Sequence, residues 1–231
     1  MTCVGLYRAF RSEQTDPDGF YSLLAEDSLD VVAAHTEISG RTVVDVGGGP
    51  GHFTAAFRMR GARCVLIERE PAELRAGFAG AVVADGYRLP IRDGGVDICF
   101  SSNVLEHVPE PGAFLDEMVR VTRPGGLIYL SYTVWHSPWG GHETAPWHYL
   151  GGHFAARRYA RVHGRPPKNG FGTSLFPISV ARVLPLINRQ DARVLELRPR
   201  YYPRWCRFLV RIPVVRELLT WNLLVVLQRN A

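Results

Sequence analysis

The chain has 231 residues, 46% of them hydrophobic and 21% charged, which excludes a disordered chain and allows one α/β domain with a substantial core. Its four cysteines are scattered without a C-x-x-C pair, so neither a zinc knuckle nor a disulfide framework is indicated, and a reducing cytoplasm is favoured. No apolar secretory signal is visible at the start of the sequence. The net charge of +5 hides an asymmetry, because residues 1–150 carry a net −7 and residues 151–231 a net +12.

The first forty residues are predicted to form an N-terminal helical cap. Residues 16–18 (Asp-Pro-Asp) are a helix-start signal, and the apolar residues after them supply a helical stripe. Residues 27–30 predict the start of a second helix that runs to about His35. Residues 41–231 then form the main domain.

A buried strand predicted at residues 42–46 leads into a glycine-rich turn. Gly47, Gly49 and Gly51 give the spacing G-x-G-x-G directly before a helix predicted at about 52–60. Residues without a Cβ atom let a ligand lie against the backbone, and the N–H groups that open the helix favour an electron-rich ligand group. Taken alone, the turn is also compatible with an ordinary tight strand-to-helix connection.

Two acids end the next two predicted strands. The second strand, at residues 62–67, is followed by Glu68, 19 residues after the middle glycine of the turn. At this spacing an acid takes ribose hydroxyls in dinucleotide-type folds. The third strand, at residues 81–84, ends in Asp85, which can accept from an exocyclic amine such as adenine N6. A solvent-facing acid is the alternative for Glu68, and a short helix is predicted at 71–78.

The fourth and fifth strands complete an alternating pattern. A strand at 96–101, a helix at 111–122 and a strand at 127–134 bring the total to five strands that alternate with helices. This pattern predicts an α/β fold with a doubly wound parallel sheet. Ligands of such sheets bind beyond the carboxyl ends of the strands, where the glycine turn, the two acids and Ser102-Asn103 are expected to converge.

This ordered set of motifs resembles that of class I S-adenosylmethionine-dependent methyltransferases, of the broad type that includes enzymes of ubiquinone and menaquinone biosynthesis. The resemblance covers residues 42–135 and includes the fourth-strand motif at 101–108 and the turn at 123–126. Later segments are similar to a group of actinobacterial methyltransferases. The resemblance implies S-adenosyl-L-methionine as the cofactor. The residues it assigns to cofactor binding are Asp45, Gly47, Gly48, Gly49, Gly51, Glu68, Arg69, Asp85, Gly86, Ser102 and Asn103.

The resemblance also completes the fold as a Rossmann-like, seven-stranded sheet. It implies strand six at 193–197 and strand seven at 222–227, with strand seven antiparallel and inserted next to strand five. A helix at 177–188 precedes strand six. Two insertions then interrupt the domain, a lid at about 136–175 and a second segment at about 199–221.

The lid is rich in histidine and aromatic residues. Five of the eight histidines lie between residues 136 and 163, in a segment that should hang over the cleft. Methyl transfer to oxygen needs a base with a pKa near the working pH, and histidine suits that role. A structural role is the alternative for each candidate. The catalytic candidates are His142, Glu143 and His148 in the lid and His107 after the fourth strand.

A metal site in the lid is a further option. Imidazole and carboxylate groups can bind a divalent ion, and the lid residues that could do so are His142, Glu143, His148 and His153. No recognised spacing supports such a site, so no metal is predicted.

Residues 199–221 combine apolar and basic side chains. A predicted apolar stripe lies beside Arg204, Arg207 and Arg211, and its members are Trp205, Phe208, Leu209 and Ile212. Such a stripe can lie on a membrane surface, although the charges and prolines exclude a transmembrane span. Packing on the cofactor domain or on a second subunit of a homodimer is the alternative.

These observations predict O-methylation of a small hydroxylated acceptor, such as a sugar or a lipid-linked headgroup, with a lid histidine as base. The enzyme would act in the cytoplasm or at the inner face of the membrane. C-methylation of a quinone-like ring is a second option, and RNA binding or methylation through the basic half is a third. The arginines after residue 151 interleave with apolar residues, and no RNA-binding module is evident, which argues against nucleic acid.

Overall fold

A computed structural model of the chain describes Gly5, residues 16–75 and residues 78–231. Its centre is one seven-stranded sheet with the strand order 3-2-1-4-5-7-6. The strands are β1 (Thr42–Val46), β2 (Arg63–Glu68), β3 (Ala81–Val83), β4 (Val96–Ser102), β5 (Thr122–Thr133), β6 (Ala192–Pro199) and β7 (Asn222–Arg229). Neighbours in the first five strands are parallel, and β7 is antiparallel to both β5 and β6. The predicted fold class and the position of the seventh strand are confirmed.

Helices cover both faces of this sheet. They are α1 (Pro17–Ala33), α2 (His52–Met59), α3 (Pro111–Val121), α4 (Gly152–His163), α5 (Val180–Asn188) and the short α6 (Val215–Leu219). On one face, Met118 of α3 and Val183 of α5 belong to the same buried cluster as Val44. On the other face, Leu24 of α1 and Phe57 of α2 belong to the cluster that contains Val43. Adjacent residues of β1 thus point to opposite faces, as a fully covered strand requires.

The prediction of two N-terminal helices is wrong, because α1 is continuous. Asp16 caps it as predicted, since its carboxylate accepts from the N–H of Gly19 at 3.0 Å. Ser28 could have started a new helix, but its hydroxyl donates to the carbonyl of Leu24 at 2.7 Å. A serine that bonds four residues back leaves the helix intact.

The short helix predicted at 71–78 is also wrong over the residues that can be compared. Pro71–Glu73 form a single 3-10 turn, and Leu74 has the extended backbone angles φ −72° and ψ 135°. Residues 76 and 77 lie outside the described part of the chain.

Strand β5 begins five residues earlier than predicted. Thr122 pairs with Val96, and the next pair joins Leu127 to Ile98. The predicted turn at 123–126 is therefore accommodated as a bulge inside the strand, because these four residues on β5 face one residue on β4.

The two insertions leave from the carboxyl edge of the parallel strands. Thr133 at the end of β5 pairs with Asn222 at the start of β7, so both segments meet the sheet there. The first insertion contains two 3-10 turns, His142–Thr144 and Trp147–Leu150, followed by α4, which was not predicted. The second contains the 3-10 helix Arg204–Arg211 and α6. None of the helices in the described residues has the length and apolar character needed to cross a membrane.

Candidate active site

The glycine turn lies between the end of β1 and the start of α2. Gly47 has a φ of 73°, and a Cβ atom there would lie 2.6 Å from the side chain of Val104, which follows β4. Gly49 has a φ of 50°, and a Cβ atom there would meet nothing within 4 Å, so open space adjoins its backbone. Gly51 is the N-cap of α2. The turn therefore offers backbone atoms to a ligand at the tip of the first strand.

Asp45 supports this turn from within the protein. Its side chain is buried, and its carboxyl accepts a hydrogen bond from the hydroxyl of Thr54 at 2.7 Å. Burial raises the pKa of Asp45 from 3.8 to about 7, although the hydrogen bond from Thr54 opposes the shift. A Cβ atom on Gly48 would lie 2.5 Å from the same carboxyl, so the acid and the turn are in direct contact.

Glu68 joins the ends of β1 and β2. One carboxylate oxygen accepts from the N–H of Gly49 at 3.0 Å, and the other accepts from the N–H groups of Arg69 and Glu70 at 2.8 and 3.1 Å. The side chain of Arg69 is exposed. The predicted acid therefore reaches the glycine turn, and its first oxygen has acceptor capacity beyond the bond to Gly49.

Asp85 and Gly86 follow β3 at the same edge of the sheet. Asp85 is exposed, and one of its carboxylate oxygens accepts from the N–H of Tyr87 at 3.0 Å. Gly86 packs against the ring of Phe114, since a Cβ atom would lie 2.7 Å from it. The glycine turn and both predicted acids thus follow three neighbouring strands, as a bound nucleoside requires.

Ser102 belongs to a buried network that the sequence did not predict. Its hydroxyl lies 3.0 Å from that of Ser131, and the guanidinium of Arg200 donates to both at 3.2 and 3.0 Å. The same guanidinium donates to the hydroxyl of Ser28 and to the carbonyl of Leu24 in α1. The side chain of Ser102 is therefore held inside the protein by this network.

Asn103 adopts a backbone conformation that is uncommon for residues other than glycine. Its φ is 57°, its N–H donates to the carbonyl of Ser131 at 2.8 Å, and its side-chain oxygen accepts from Asn222 at 2.7 Å. This conformation turns the chain at the end of β4 towards Leu105–His107, which form a 3-10 turn.

Three side chains meet beyond the ends of β4 and β5, and we call Glu106, His107 and His142 the acid–histidine cluster. One potential ligand atom from each lies within 4.8 Å of the other two. Glu106 is 2% exposed, and its Oε1 accepts from the N–H of Thr133 at 3.0 Å. His107 Nδ1 donates to the carbonyl of Ser174 at 2.5 Å. Glu106 is the member that the sequence did not predict, although it lies next to a predicted residue.

Two buried atoms of the acid–histidine cluster have no hydrogen-bond partner. They are Glu106 Oε2 and His142 Nε2. Burial lowers the pKa of His142 to about 4, although the nearby charge of Glu106 opposes the shift. His142 is therefore neutral at pH 7, and it has a φ of 48°, a strained conformation for a residue of this kind. Unpaired buried polar atoms are rare in native proteins, and a bound ligand or an ordered water is their usual partner.

The other lid candidates are not members of this cluster, although His148 lies next to it, since a Cβ atom on Gly141 would lie 2.5 Å from the ring of His148. Glu143 is exposed, and its carboxylate accepts from the side chain of Asn169 at 3.0 Å. His148 is 1% exposed, and its Nε2 donates to the carbonyl of Ser137 at 3.1 Å. His153 packs edge-on against the ring of Phe171. These contacts serve the fold of the lid, and they do not assemble the four-residue metal set considered from the sequence.

Comparisons with known proteins identify the family of the chain. The family described as a methyltransferase domain matches residues 44–130. An uncharacterized methyltransferase of Mycobacteroides abscessus is 47% identical over 241 residues, which cover 97% of this chain and 93% of the relative. One from Mycobacterium avium (strain 104) is 50% identical over 240 residues, with coverages of 97% and 94%.

Solved structures share the fold at low identity. An S-adenosylmethionine-dependent methyltransferase from Mesorhizobium loti has a TM-score of 0.57 and 19% identity, covering 87% of this chain and 96% of its own. The geranyl diphosphate C-methyltransferase of Streptomyces coelicolor, crystallised with Mg²⁺, geranyl diphosphate and S-adenosyl-L-homocysteine, has a TM-score of 0.58 and 14% identity, with coverages of 90% and 77%.

The strand order and the carboxyl-edge site define a class I, Rossmann-like methyltransferase fold. The chain belongs to the same family of S-adenosylmethionine-dependent methyltransferases as these mycobacterial relatives. The predicted cofactor, S-adenosyl-L-methionine, is thereby confirmed.

Proposed function

We propose that the enzyme methylates a hydroxyl oxygen of a small acceptor, a sugar or the headgroup of a lipid. In this reaction the acceptor oxygen forms a bond to the methyl carbon while the carbon–sulfur bond breaks, and the sulfur keeps the electron pair. The hydroxyl proton has to leave. Most of the acceleration comes from alignment of the two reactants and from the exclusion of water, and the remainder from activation of the hydroxyl.

The cofactor is proposed to lie across the tips of β1 to β4. In this arrangement the second acceptor site on Glu68 Oε2 takes a ribose hydroxyl, and the exposed carboxylate of Asp85 takes the adenine amine. Asp45 holds the glycine turn in place through its contact with Gly48. The remaining proposed contacts are made by the backbones of Gly47, Gly49, Gly51, Arg69, Gly86, Ser102 and Asn103.

The observation that carries the proposal is the pair of unpartnered, buried atoms in the acid–histidine cluster. An acceptor hydroxyl is one group that could donate to one of them and approach the other. Val104 lies two residues before Glu106 and packs against Gly47, which links the cluster to the glycine turn. Because a pKa of about 4 makes His142 a weak proton acceptor, we assign activation of the hydroxyl to the cluster and not to one lid histidine alone.

The lid supports a ring-shaped acceptor. Trp135 packs on Phe171 with ring centroids 5.1 Å apart, and Trp139 stacks on Trp221 at 5.4 Å. The second pair joins the lid to the residue that precedes β7. Apolar walls with a few polar groups at their centre are the usual form of a small-molecule site.

A surface beside the lid supports a lipid-linked acceptor. Trp205 is 72% exposed, and the other exposed apolar side chains of this arginine–aromatic surface are Phe208, Ile212, Val214, Leu218 and Leu219. The exposed cations among them are Arg204, Arg207 and Arg211. Leu209, predicted for the same stripe, is 9% exposed and belongs to the buried side of the segment. Aromatic side chains interleaved with arginine suit an anionic lipid interface.

Labelled methyl transfer tests the proposed reaction. Purified enzyme is incubated with ¹³C-methyl S-adenosylmethionine and fractionated mycobacterial extracts, and the product is analysed by NMR. We expect a methyl ether in a carbohydrate or polar-lipid fraction. Glu106→Gln should lower the rate by roughly a hundredfold or more, whereas Glu110→Gln, an exposed acid of the same segment, should leave it unchanged. A carbon-bound methyl group, methylated RNA or full activity of Glu106→Gln would contradict the proposal.

A further inference from the structure

The acid–histidine cluster has the composition of a metal site. It offers two imidazoles and one carboxylate from two segments, Glu106-His107 after β4 and His142 in the lid. Imidazole and carboxylate together suit the divalent ions of the first transition row, from Mn²⁺ to Zn²⁺. The three potential ligand atoms are near enough to one another to share one ion, since all lie within 4.8 Å.

The unpartnered atoms are an independent observation. Glu106 Oε2 and His142 Nε2 are both buried without a hydrogen bond, although burial of such atoms is unfavourable. A cation between them would satisfy the negative oxygen and the imidazole lone pair at once.

Surrounding hydrogen bonds orient the potential ligands. Because a carbonyl can only accept, His107 carries its proton on Nδ1 towards Ser174, and its Nε2 has the lone pair. The N–H of Thr133 fixes Glu106 through Oε1 and leaves Oε2 to the cluster. Metal-binding histidines usually donate their second nitrogen to such a carbonyl, and metal-binding carboxylates are held in the same way.

We propose that Glu106, His107 and His142 bind one divalent transition-metal ion. Three protein ligands leave coordination positions open, as in catalytic metal sites. If the proposed O-methylation is correct, an acceptor hydroxyl occupies one open position, and the bound ion lowers its pKa so that the proton passes to solvent water. The ion undergoes no change in oxidation state, and the methyl group still moves from sulfur to oxygen.

Metal titration of the full-length protein tests this site without cofactor or acceptor. After treatment with a chelator and dialysis, the protein is titrated with ZnCl₂ by calorimetry and with CoCl₂ by visible absorption. We expect one equivalent to bind, with the Co²⁺ spectrum of a site that contains nitrogen ligands. His142→Ala and Glu106→Gln should weaken the affinity by about tenfold or more, and His163→Ala, an exposed histidine at the end of α4, should not change it.

A separate measurement distinguishes this proposal from the proposed function. Binding of S-adenosylhomocysteine is measured for each variant to show that the variant is folded. His107→Asn is included as an additional variant, because His107 is only half-buried. Absence of saturable metal binding, or binding that survives His142→Ala and Glu106→Gln unchanged, would overturn the metal site. Methyl transfer that depends on Glu106 without any metal would leave the proposed function standing alone.

Discussion

The two halves of the carboxyl edge are built in different ways. At β1 to β3, the important contacts are short in sequence or involve backbone atoms. An example is the hydrogen bond from the N–H of Gly49 to the carboxylate of Glu68, 19 residues apart. At β4 to β7, buried side chains reach residues farther along the chain. Glu106 bonds to Thr133, and Arg200 bonds to Ser102 and to Ser28, 98 and 172 residues away.

In the proposed arrangement, this difference separates most of the cofactor contacts, at β1 to β3, from the acceptor contacts, at β4 to β7. A half of the carboxyl edge that depends on short motifs and backbone atoms keeps its geometry when surface side chains vary. A half assembled from remote side chains can change its ligand through a few substitutions, because each partner comes from a different segment. One fold can therefore keep the same methyl donor and serve many acceptors.

The largest loss of stability is expected at Arg200, whose side chain has no exposed surface. Replacement by Met leaves Ser28, Ser102 and Ser131 without their shared donor. We expect Arg200→Met to lower the free energy of unfolding by about 3 kcal/mol, as when one partner of a buried charged network is removed. Urea denaturation measures the loss, and Arg207→Met at an exposed position is the control. Equal stability of the two variants would show that the distant network is dispensable.

In the cofactor half, Asp45 makes stability dependent on pH. Its raised pKa means that the folded protein favours the protonated carboxyl, so this stabilisation is complete below about pH 4 and is lost as the pH rises towards 7. The free energy of unfolding should fall by roughly 2–3 kcal/mol between about pH 5 and pH 8 from this group. Asp45→Asn should remove that slope in urea titrations at several pH values. The exposed Glu37→Gln serves as the reference, and an unchanged slope in Asp45→Asn would refute the assignment.

Loss of the carboxylate at Glu68 should affect the donor and spare the acceptor half. Glu68→Ala removes the acceptor proposed for the ribose and the bond to Gly49. We expect the Kd for S-adenosylhomocysteine to rise on the order of tenfold to a hundredfold, the usual effect of losing hydrogen bonds to a charged group. Calorimetry measures the Kd, with the neighbouring exposed Glu70→Ala as control. Affinity equal to that of the unaltered enzyme would contradict the ribose contact.

The smallest effect is expected on the arginine–aromatic surface. Trp205→Ser should lower the partition coefficient onto vesicles containing anionic lipid by about tenfold, because a large apolar side chain no longer enters the interface. Sedimentation of the vesicles measures the bound fraction. Met59→Ser, at a side chain 83% exposed on α2, should leave the partition coefficient unchanged. Binding that is insensitive to Trp205, or equally sensitive to Met59, would assign no membrane contact to this surface.

Most of the cofactor half could be predicted from the sequence. Residues 42–46 are the observed β1, because a short buried strand before a glycine turn leaves a contiguous pattern. Helix α4 had no such pattern, since Gly152 and Ala155 are its only buried residues and its N-terminus has no side-chain cap. Its buried face is formed by small residues, so the large apolar side chains that identify most helices are missing there.

The acceptor half could be predicted only in part. The fourth-strand motif drew attention to His107 and the lid to His142, but nothing in the sequence showed that the lid histidine meets Glu106 and His107, because they lie in separate segments. Arg200 lies in an arginine-rich stretch that resembles an ordinary charged surface. Its burial depends on serines from three segments that are distant in sequence, and no local pattern of residues indicates that they meet.

The stacked indoles of Trp139 and Trp221 join the lid to the edge of the sheet. A compound that enters beneath the lid and separates the two rings would change the polarity and quenching around both, and intrinsic fluorescence would respond. Screening for the natural acceptor could then proceed by optical titration of the unlabelled enzyme, before any radioactive or isotopic donor is used.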